Sequence, residues 1–380
     1  MPMNYLQYIR QTAPSITNVR FLVSGMDGRV RQAIGQHIVS SCWERGKTMF
    51  IMDNTQKATD FSSGIGGYHM VDILEGTINL CENLLEVNSI KGISRLRSCL
   101  SALGFDDARS MKVVAYLSFV RETENRLGNA LPLSISVLEQ YSGVALVKWK
   151  LEQLVGSGKL HQVNYEYLLG KYAEVSSAAA DFETFLILFA PFLGTILPTR
   201  EMAIHLPIGE FATDKPMQQL MCKLMVSYIR ENPESSAILI LDDGKGERKC
   251  LADTLKCLPV TTEIHMFSDD VFSLDNADLG ILMNTFPVRI YSRHEDMTSC
   301  GKIEQQCGQI DVVKNASSVS IDRRFRMNSA WDMLLGTNRT DTEIRSAPSK
   351  ESRFRKELIN SMFPGTAILD CGGSQVLLSF

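Results

Sequence analysis

An α/β protein whose mostly parallel sheet is interrupted by an all-helical insertion is what this sequence predicts, and three observations predict it. Residues 19–23 form a short apolar and β-branched run that stops at a glycine; a helical pattern follows over 29–45, and 47–53 reads as a second strand. A β-α-β unit of this kind implies parallel strands, because the crossover brings the chain back to start the next strand in the same direction. Between 89 and 197 strand-like runs are nearly absent, and apolar residues recur at three and four positions, as in Leu96, Leu100 and Leu103 or Val113, Leu117 and Val120. That spacing is helical. From Met202 onward the alternation of apolar runs and helical stretches resumes.

The expected division is therefore 1–88 for the first part of the α/β domain, 89–197 for the helical insertion, and 198–380 for the remainder of the α/β domain. The first helix ends at Gly46, a common helix terminator. Asp53 closes the second strand and reads as an acidic turn residue. A glycine-rich turn at 62–68 precedes a strand at 68–73 instead of following one into a helix, which argues against a phosphate loop there. A helix is expected over 75–85. Within the insertion, Tyr165, Tyr167, Leu168 and Tyr172 stand at helical spacing and read as core. Beyond it come a strand at 202–206, a helix at 214–232 and a buried strand at 237–241 that runs into Asp242 and Asp243. A helix at 247–257 leads to a strand at 262–267, with Ser268, Asp269 and Asp270 after it. A short helix at 274–282, a strand at 287–292 and a helix at 298–307 up to Gly308 follow. The polar segment 338–351 reads as mobile, and 366–369 with 375–380 as a closing hairpin.

Composition narrows the classes. With 44% hydrophobic and 22% charged residues and a net charge of −4, the chain is ordinary for a soluble globular protein and carries no overall basic signal for nucleic acid. The stretch 345–356 is locally basic. The nine cysteines (42, 81, 99, 222, 250, 257, 300, 307, 371) include no C-x-x-C pair, which favours reduced thiols in a cytoplasmic protein over a disulfide framework or a zinc site. The start of the chain lacks the layout of a secretory signal. The most apolar run, 185–197, is too short to cross a bilayer and contains Pro191 and Gly194, so no membrane span is expected.

The stretch 19–37 has the strand, loop and helix layout of a P-loop nucleotide site. Laid against G-x-x-x-x-G-K-S/T, Gly25 matches the first glycine, and Met26, Asp27, Gly28 and Arg29 fill the loop. Val30 stands for the second glycine, Arg31 for the lysine and Gln32 for the hydroxyl residue. A guanidinium can hold phosphate but is bulkier than an ammonium. Valine resists the positive φ open to glycine, and an amide replaces the hydroxyl that would reach Mg²⁺. These eight residues are the candidate ATP-binding set. Asp242, at the carboxyl end of a buried strand, is the candidate Mg²⁺ ligand, and Asp243 the candidate catalytic carboxylate. Two readings stay open, a plain strand-to-helix turn and a retained nucleotide site; fast hydrolysis is expected of neither. Arg289, Arg293, Arg323, Arg324 and Arg326 are candidates to act across a subunit boundary. His265 and His294 read as a strand and a surface histidine with no Ser or Cys partner.

In the order of its elements the chain resembles the FtsK/HerA-type motor ATPases, in particular the TraG/TraD-type coupling proteins of conjugation and type IV secretion. Residues 21–32 resemble their P-loop, and 89–197 their all-helical insertion. Met202-Ala-Ile-His-Leu-Pro, the helix 214–232 and the strand 238–243 resemble their approach to the Walker B carboxylate. Asn284-Thr-Phe-Pro-Val-Arg-Ile with 298–308 resembles the segment after their sensor strand. The resemblance implies a P-loop NTPase-like fold of the RecA/ASCE kind, ATP and Mg²⁺ as cofactors if any are bound, and a homo-hexameric ring around DNA or protein. It also implies secretion or conjugation proteins as partners. Without the Walker lysine and hydroxyl, the expectation is a catalytically degenerate structural or substrate-recruiting subunit, not anchored directly at a secretion channel. A non-standard ATPase using Arg31 with Asp242 and Asp243, and a protein-binding module without nucleotide, are the alternatives.

Overall fold

The structure is a computed structural model of the chain. It describes residues 3–4, 20–53, 69–129, 132–200, 202–211, 213–240, 254–255, 257–259, 261–274, 276–316, 345–371 and 375–380. They fall into two compact units, Met1–His294 with Met362–Phe380, and Glu295–Ser361.

The first unit opens with β1 (Met3–Asn4), β2 (Phe21–Ser24), α1 (Gly28–Glu44), β3 (Met49–Asp53) and β4 (His69–Asp72). A helical run follows: α2 (Ile90–Ala102), α3 (Asp107–Arg126), α4 (Ile135–Leu138), α5 (Val144–Gly156), α6 (Gln162–Val175) and α7 (Ala179–Phe189). Then come β5 (Met202–Leu206), α8 (Lys215–Glu231), β6 (Ser236–Ile240), β7 (Glu263–Ser268), α9 (Asn276–Thr285) and β8 (Val288–Tyr291). The second unit holds α10 (Met297–Cys307), β9 (Gln309–Ala316), β10 (Arg345–Ser352) and α11 (Lys356–Asn360); β11 (Thr366–Asp370) and β12 (Gln375–Ser379) return to the first.

Ten strands make one sheet in the order β1-β12-β11-β8-β2-β7-β6-β3-β5-β4. From β8 to β4 every pair is parallel, while β11 runs antiparallel to both of its neighbours. A mostly parallel sheet must be covered on both faces, which is why its strands read as continuous apolar runs. The helix α1 shows how the cover is made. Val30, Ile34, Ile38 and Cys42 recur at four-residue spacing and are buried against Val23, Met49, Ile51, Ile238 and Ile290. Each such aliphatic side chain contributes roughly 2 kcal/mol by leaving water. β7 lies between β2 and β6, so the loop after β2 and the end of β6 share one edge of the sheet with a strand between them.

In the helical run, α6 and α7 join α3 in a shared aromatic core that also takes in Tyr141. Tyr116 stacks on Phe182 with ring centres 4.3 Å apart and donates its hydroxyl to the Tyr141 carbonyl at 2.7 Å. Gln162–Phe192 is long and apolar enough, by length and composition alone, to cross a membrane. Leu168, Tyr172, Phe182, Phe185 and Phe189 of that run are buried, and both α6 and α7 pack on α3.

Several expectations change. In place of a helix over 75–85 the chain makes two 3-10 turns, Ile73–Glu75 and Glu82–Leu84, because Gly76 turns left-handed and Ile78 and Asn79 bridge to Ile196 and Leu193. Asp53 is no turn residue but the buried last residue of β3. Tyr167 lies outside the core, half-exposed, with the Arg126 guanidinium 4.3 Å from its ring centre. The part of 338–351 that is described is strand β10, paired antiparallel with β9, which sequence periodicity did not suggest. The turn at 62–68 and most of the helix at 247–257 lie outside the described residues. In the second unit by itself, Asp296 caps α10 by accepting from the Ser299 N–H at 2.9 Å, and α10 packs on α11.

Candidate functional site

The loop between β2 and α1 is only Gly25, Met26 and Asp27. Gly25 has a φ of +131°, and a Cβ there would stand 2.1 Å from Ser292 Oγ. The first loop glycine is thus required by backbone shape and by close approach. Gly28, by contrast, has open space where a Cβ would go.

The first two N–H groups of this loop are turned inward, onto the protein. Gly25 N–H donates to the Ser268 carbonyl and Met26 N–H to the Arg293 carbonyl, both at 3.0 Å. Asp27 is the N-cap of α1. Its Oδ1 accepts from Arg29 N–H at 2.9 Å and Val30 N–H at 3.4 Å, and its Oδ2 accepts from Gly365 N–H at 2.6 Å. Arg31 N–H donates to the Asp27 carbonyl. A carboxylate of the chain itself therefore occupies the positive end of the helix, where free N–H groups and the helix dipole favour an anion. A phosphate entering the same place would meet that negative charge.

The side chain at the lysine position is also committed. Arg31, buried beneath the loop, pairs with Asp269 at the end of β7, Nη1 to Oδ1 at 2.5 Å. Gln32 points to solvent on α1, Val30 is fully buried in the core, and Met26, Gly28 and Arg29 are exposed. As folded, the Asp27 carboxylate and the Arg31–Asp269 pair stand where a bound phosphate would lie. Asp242 and Asp243 lie outside the described residues; β6 ends at Ile240 and is separated from β2 by β7.

A serine–histidine contact went unread in the sequence. His294 is not a surface histidine: it is 1% exposed, with Nε2 2.9 Å from Ser24 Oγ and Nδ1 2.8 Å from the Ser292 carbonyl. The carbonyl can only accept, so Nδ1 carries a proton, and Nε2 shares a hydrogen bond with the serine hydroxyl. Ser24 Oγ in turn accepts the Val271 N–H at 3.1 Å. The ends of β2, β7 and β8 are knitted together behind the loop by groups 270 residues apart in the chain, a separation with no local signature. His265 also has a partner, Glu263 Oε1 at 3.1 Å. Of the candidate arginines, Arg289 is engaged inside the fold with Asp370 and with the Met283 and Phe286 carbonyls. Arg293 is exposed, and Arg323, Arg324 and Arg326 lie outside the described residues.

No protein-family model matches this sequence, and no curated protein matches it. Solved structures do. A bacterial conjugative coupling protein, TrwBdeltaN70 in its unbound monoclinic form, aligns with a TM-score of 0.51 at 13% identity over 100% of this chain and 91% of that one. The plasmid coupling protein TrwB in complex with ADP and Mg²⁺ aligns at 0.46 and 14% identity, over 100% of this chain and 92% of that one. VirB4 of Thermoanaerobacter pseudethanolicus aligns at 0.47 and 11% identity, over 96% and 90%. The likeness to the unbound coupling protein spans the full length, and the chain has its fold: a P-loop NTPase-like α/β sheet, mostly parallel, with helices inserted between β4 and β5.

Proposed function

We propose that this chain is a non-hydrolysing P-loop-fold subunit of a machinery of the conjugation or type IV secretion kind, with a structural or substrate-recruiting role in DNA or protein transfer. The observation that carries the reading is the Asp27 carboxylate, which takes up the N–H groups of Arg29, Val30 and Gly365 where a P-loop would hold phosphate. The Arg31–Asp269 pair supports it, since the only cation at the lysine position is already matched by an anion. The full-length fold likeness to a conjugative coupling protein supplies the setting.

Titration calorimetry of the purified chain with ATP and Mg²⁺ tests it. No binding heat and no phosphate release are expected. Turnover that vanishes in Asp242→Ala, or ATP affinity that weakens in Arg31→Ala, would overturn the reading and make the chain a working ATPase that uses Arg31 with Asp242 and Asp243.

A further inference from the structure

On the far side of the sheet, three side chains meet that the phosphate-site geometry does not involve. Asp53 ends β3, Asp72 ends β4 and His205 is the penultimate residue of β5. In the parallel register Asp72 stands directly beside His205, and Ile51, two residues before Asp53, stands on its other side. Side chains repeat every second residue in a strand, so all three fall on one face at the carboxyl edge. His205 Nδ1 lies 2.9 Å from Asp72 Oδ2, and Nε2 lies 3.8 Å from Asp53 Oδ2.

Burial makes this arrangement informative. The His205 side chain is 10% exposed, the Asp53 side chain 0%, and Nε2 has no hydrogen-bond partner. The Asp72 carboxylate accepts the Nδ1 proton, which fixes that nitrogen as a donor. A bare lone pair on Nε2 would then face a buried carboxylate, with two electron-rich atoms opposed in a site shielded from water. A proton on Nε2 turns the same contact into attraction between an imidazolium and two carboxylates, one on each neighbouring strand. Among the described residues, the elements that pack most on β5 are β3, β4 and the turn Ile73–Glu75. Their charged groups are Asp53 and Asp72 against the ring, Glu75, which is exposed, and His69, which stands opposite Met202 at the other end of β4.

We propose that His205 is a proton-operated clamp: an imidazolium held between Asp53 and Asp72 fastens the outer strands β3, β5 and β4, and loss of its proton loosens that edge of the sheet. Burial by itself lowers the basicity of this ring, but the two carboxylates, Asp72 hydrogen-bonded to Nδ1 and Asp53 facing Nε2, outweigh it, so the ring holds its proton above the ordinary histidine value. The direction of the pH effect follows. A group whose affinity for the proton is raised by folding stabilises the fold fully at pH below its unfolded value, and that support is lost as pH rises through the folded value.

The test is ring ¹⁵N NMR of the full chain together with thermal melting between pH 6 and 9. One of six imidazole signals is expected to be doubly protonated at pH 7, to vanish in His205→Gln, and to titrate at lower pH in Asp53→Asn. The melting-temperature advantage of the native chain over His205→Gln is expected to be largest at pH 6 and to shrink toward pH 9. If His205→Gln does not fold, the signal is assigned by its shift in Asp72→Asn and its titration read in the unmodified chain. A His205 ring that is neutral at pH 7, or a melting advantage that is flat with pH, overturns the proposal. So does stabilisation by added Zn²⁺ that EDTA reverses and that Asp53→Asn abolishes, which would make the site a metal site instead.

Discussion

Asp27 does with one carboxylate what a P-loop does with bound phosphate: it satisfies the open N–H groups at the start of a helix. Its removal leaves those donors and the Gly365 N–H without their acceptor. Asp27→Ala is expected to cost about 1–2 kcal/mol in urea unfolding, the usual loss for a helix cap. Gly25 and Gly28 look alike in sequence, both belonging to a glycine loop, yet only the first is irreplaceable. Gly25→Ala forces a side chain to a φ of +131° and into Ser292 Oγ and the Arg293 carbonyl, so a loss of about 2–3 kcal/mol is expected. Gly28→Ala enters open space at a helix start and is expected to change stability by less than about 1 kcal/mol. Equal losses at both positions would show that the loop is not held as described. Local spacing places Asp27 only within the loop; its capping of α1 and the reach of its second oxygen to Gly365 belong to the folded chain.

Where α1 meets the amino end of β7, a buried charge cluster joins helix to sheet. Glu263 accepts from Arg45 Nη1 and Nη2, each at 2.7 Å, from Lys47 Nζ at 2.6 Å, and lies beside His265. Burial pushes its carboxyl up, but the hydrogen bonds from His265, Arg45 and Lys47 prevail, and the group is held well below the usual carboxylate range. Stability from this depressed group is present above its unfolded value and is lost as pH falls through the folded one. Glu263→Gln leaves two partly exposed cations, which water still reaches, beside a neutral amide, and is expected to cost about 1–3 kcal/mol at pH 7. The gap to the native chain should narrow once the pH drops below about 4, where unfolded carboxylates take up protons. Chemical unfolding of both chains at pH 7 and pH 3 measures it; a gap that widens in acid refutes the assignment. The elements themselves were mostly legible, because apolar spacing is local: α1, α8 and the strands β2, β3, β5, β6, β7 and β8 lie within a few residues of their expected places. The helix expected over 75–85 failed for a non-local reason, since Ile78 and Asn79 pair with residues more than a hundred positions away.

Ring assembly is what the resemblance to the motor ATPases implies for a subunit of such machinery, and it is tested on the whole chain. Sedimentation is expected to show a closed oligomer, and a monomer at every concentration would favour a protein-binding module without nucleotide. The order of strands matters for both readings, because β7 between β2 and β6 puts Asp269 under the loop and within reach of Arg31. Taken alone, the sequence determined the α/β rhythm, the parallel sense of the sheet and the helical run between its two halves. Each of these is a pattern in residues close together along the chain. Only the tertiary structure decided what fills the loop. Arg31 meets Asp269 across 238 residues, and Asp27 meets Gly365 across 338. Whether an altered P-loop stays open or is closed by its own side chains depends on such partners, which sheet order and burial select and local spacing does not encode.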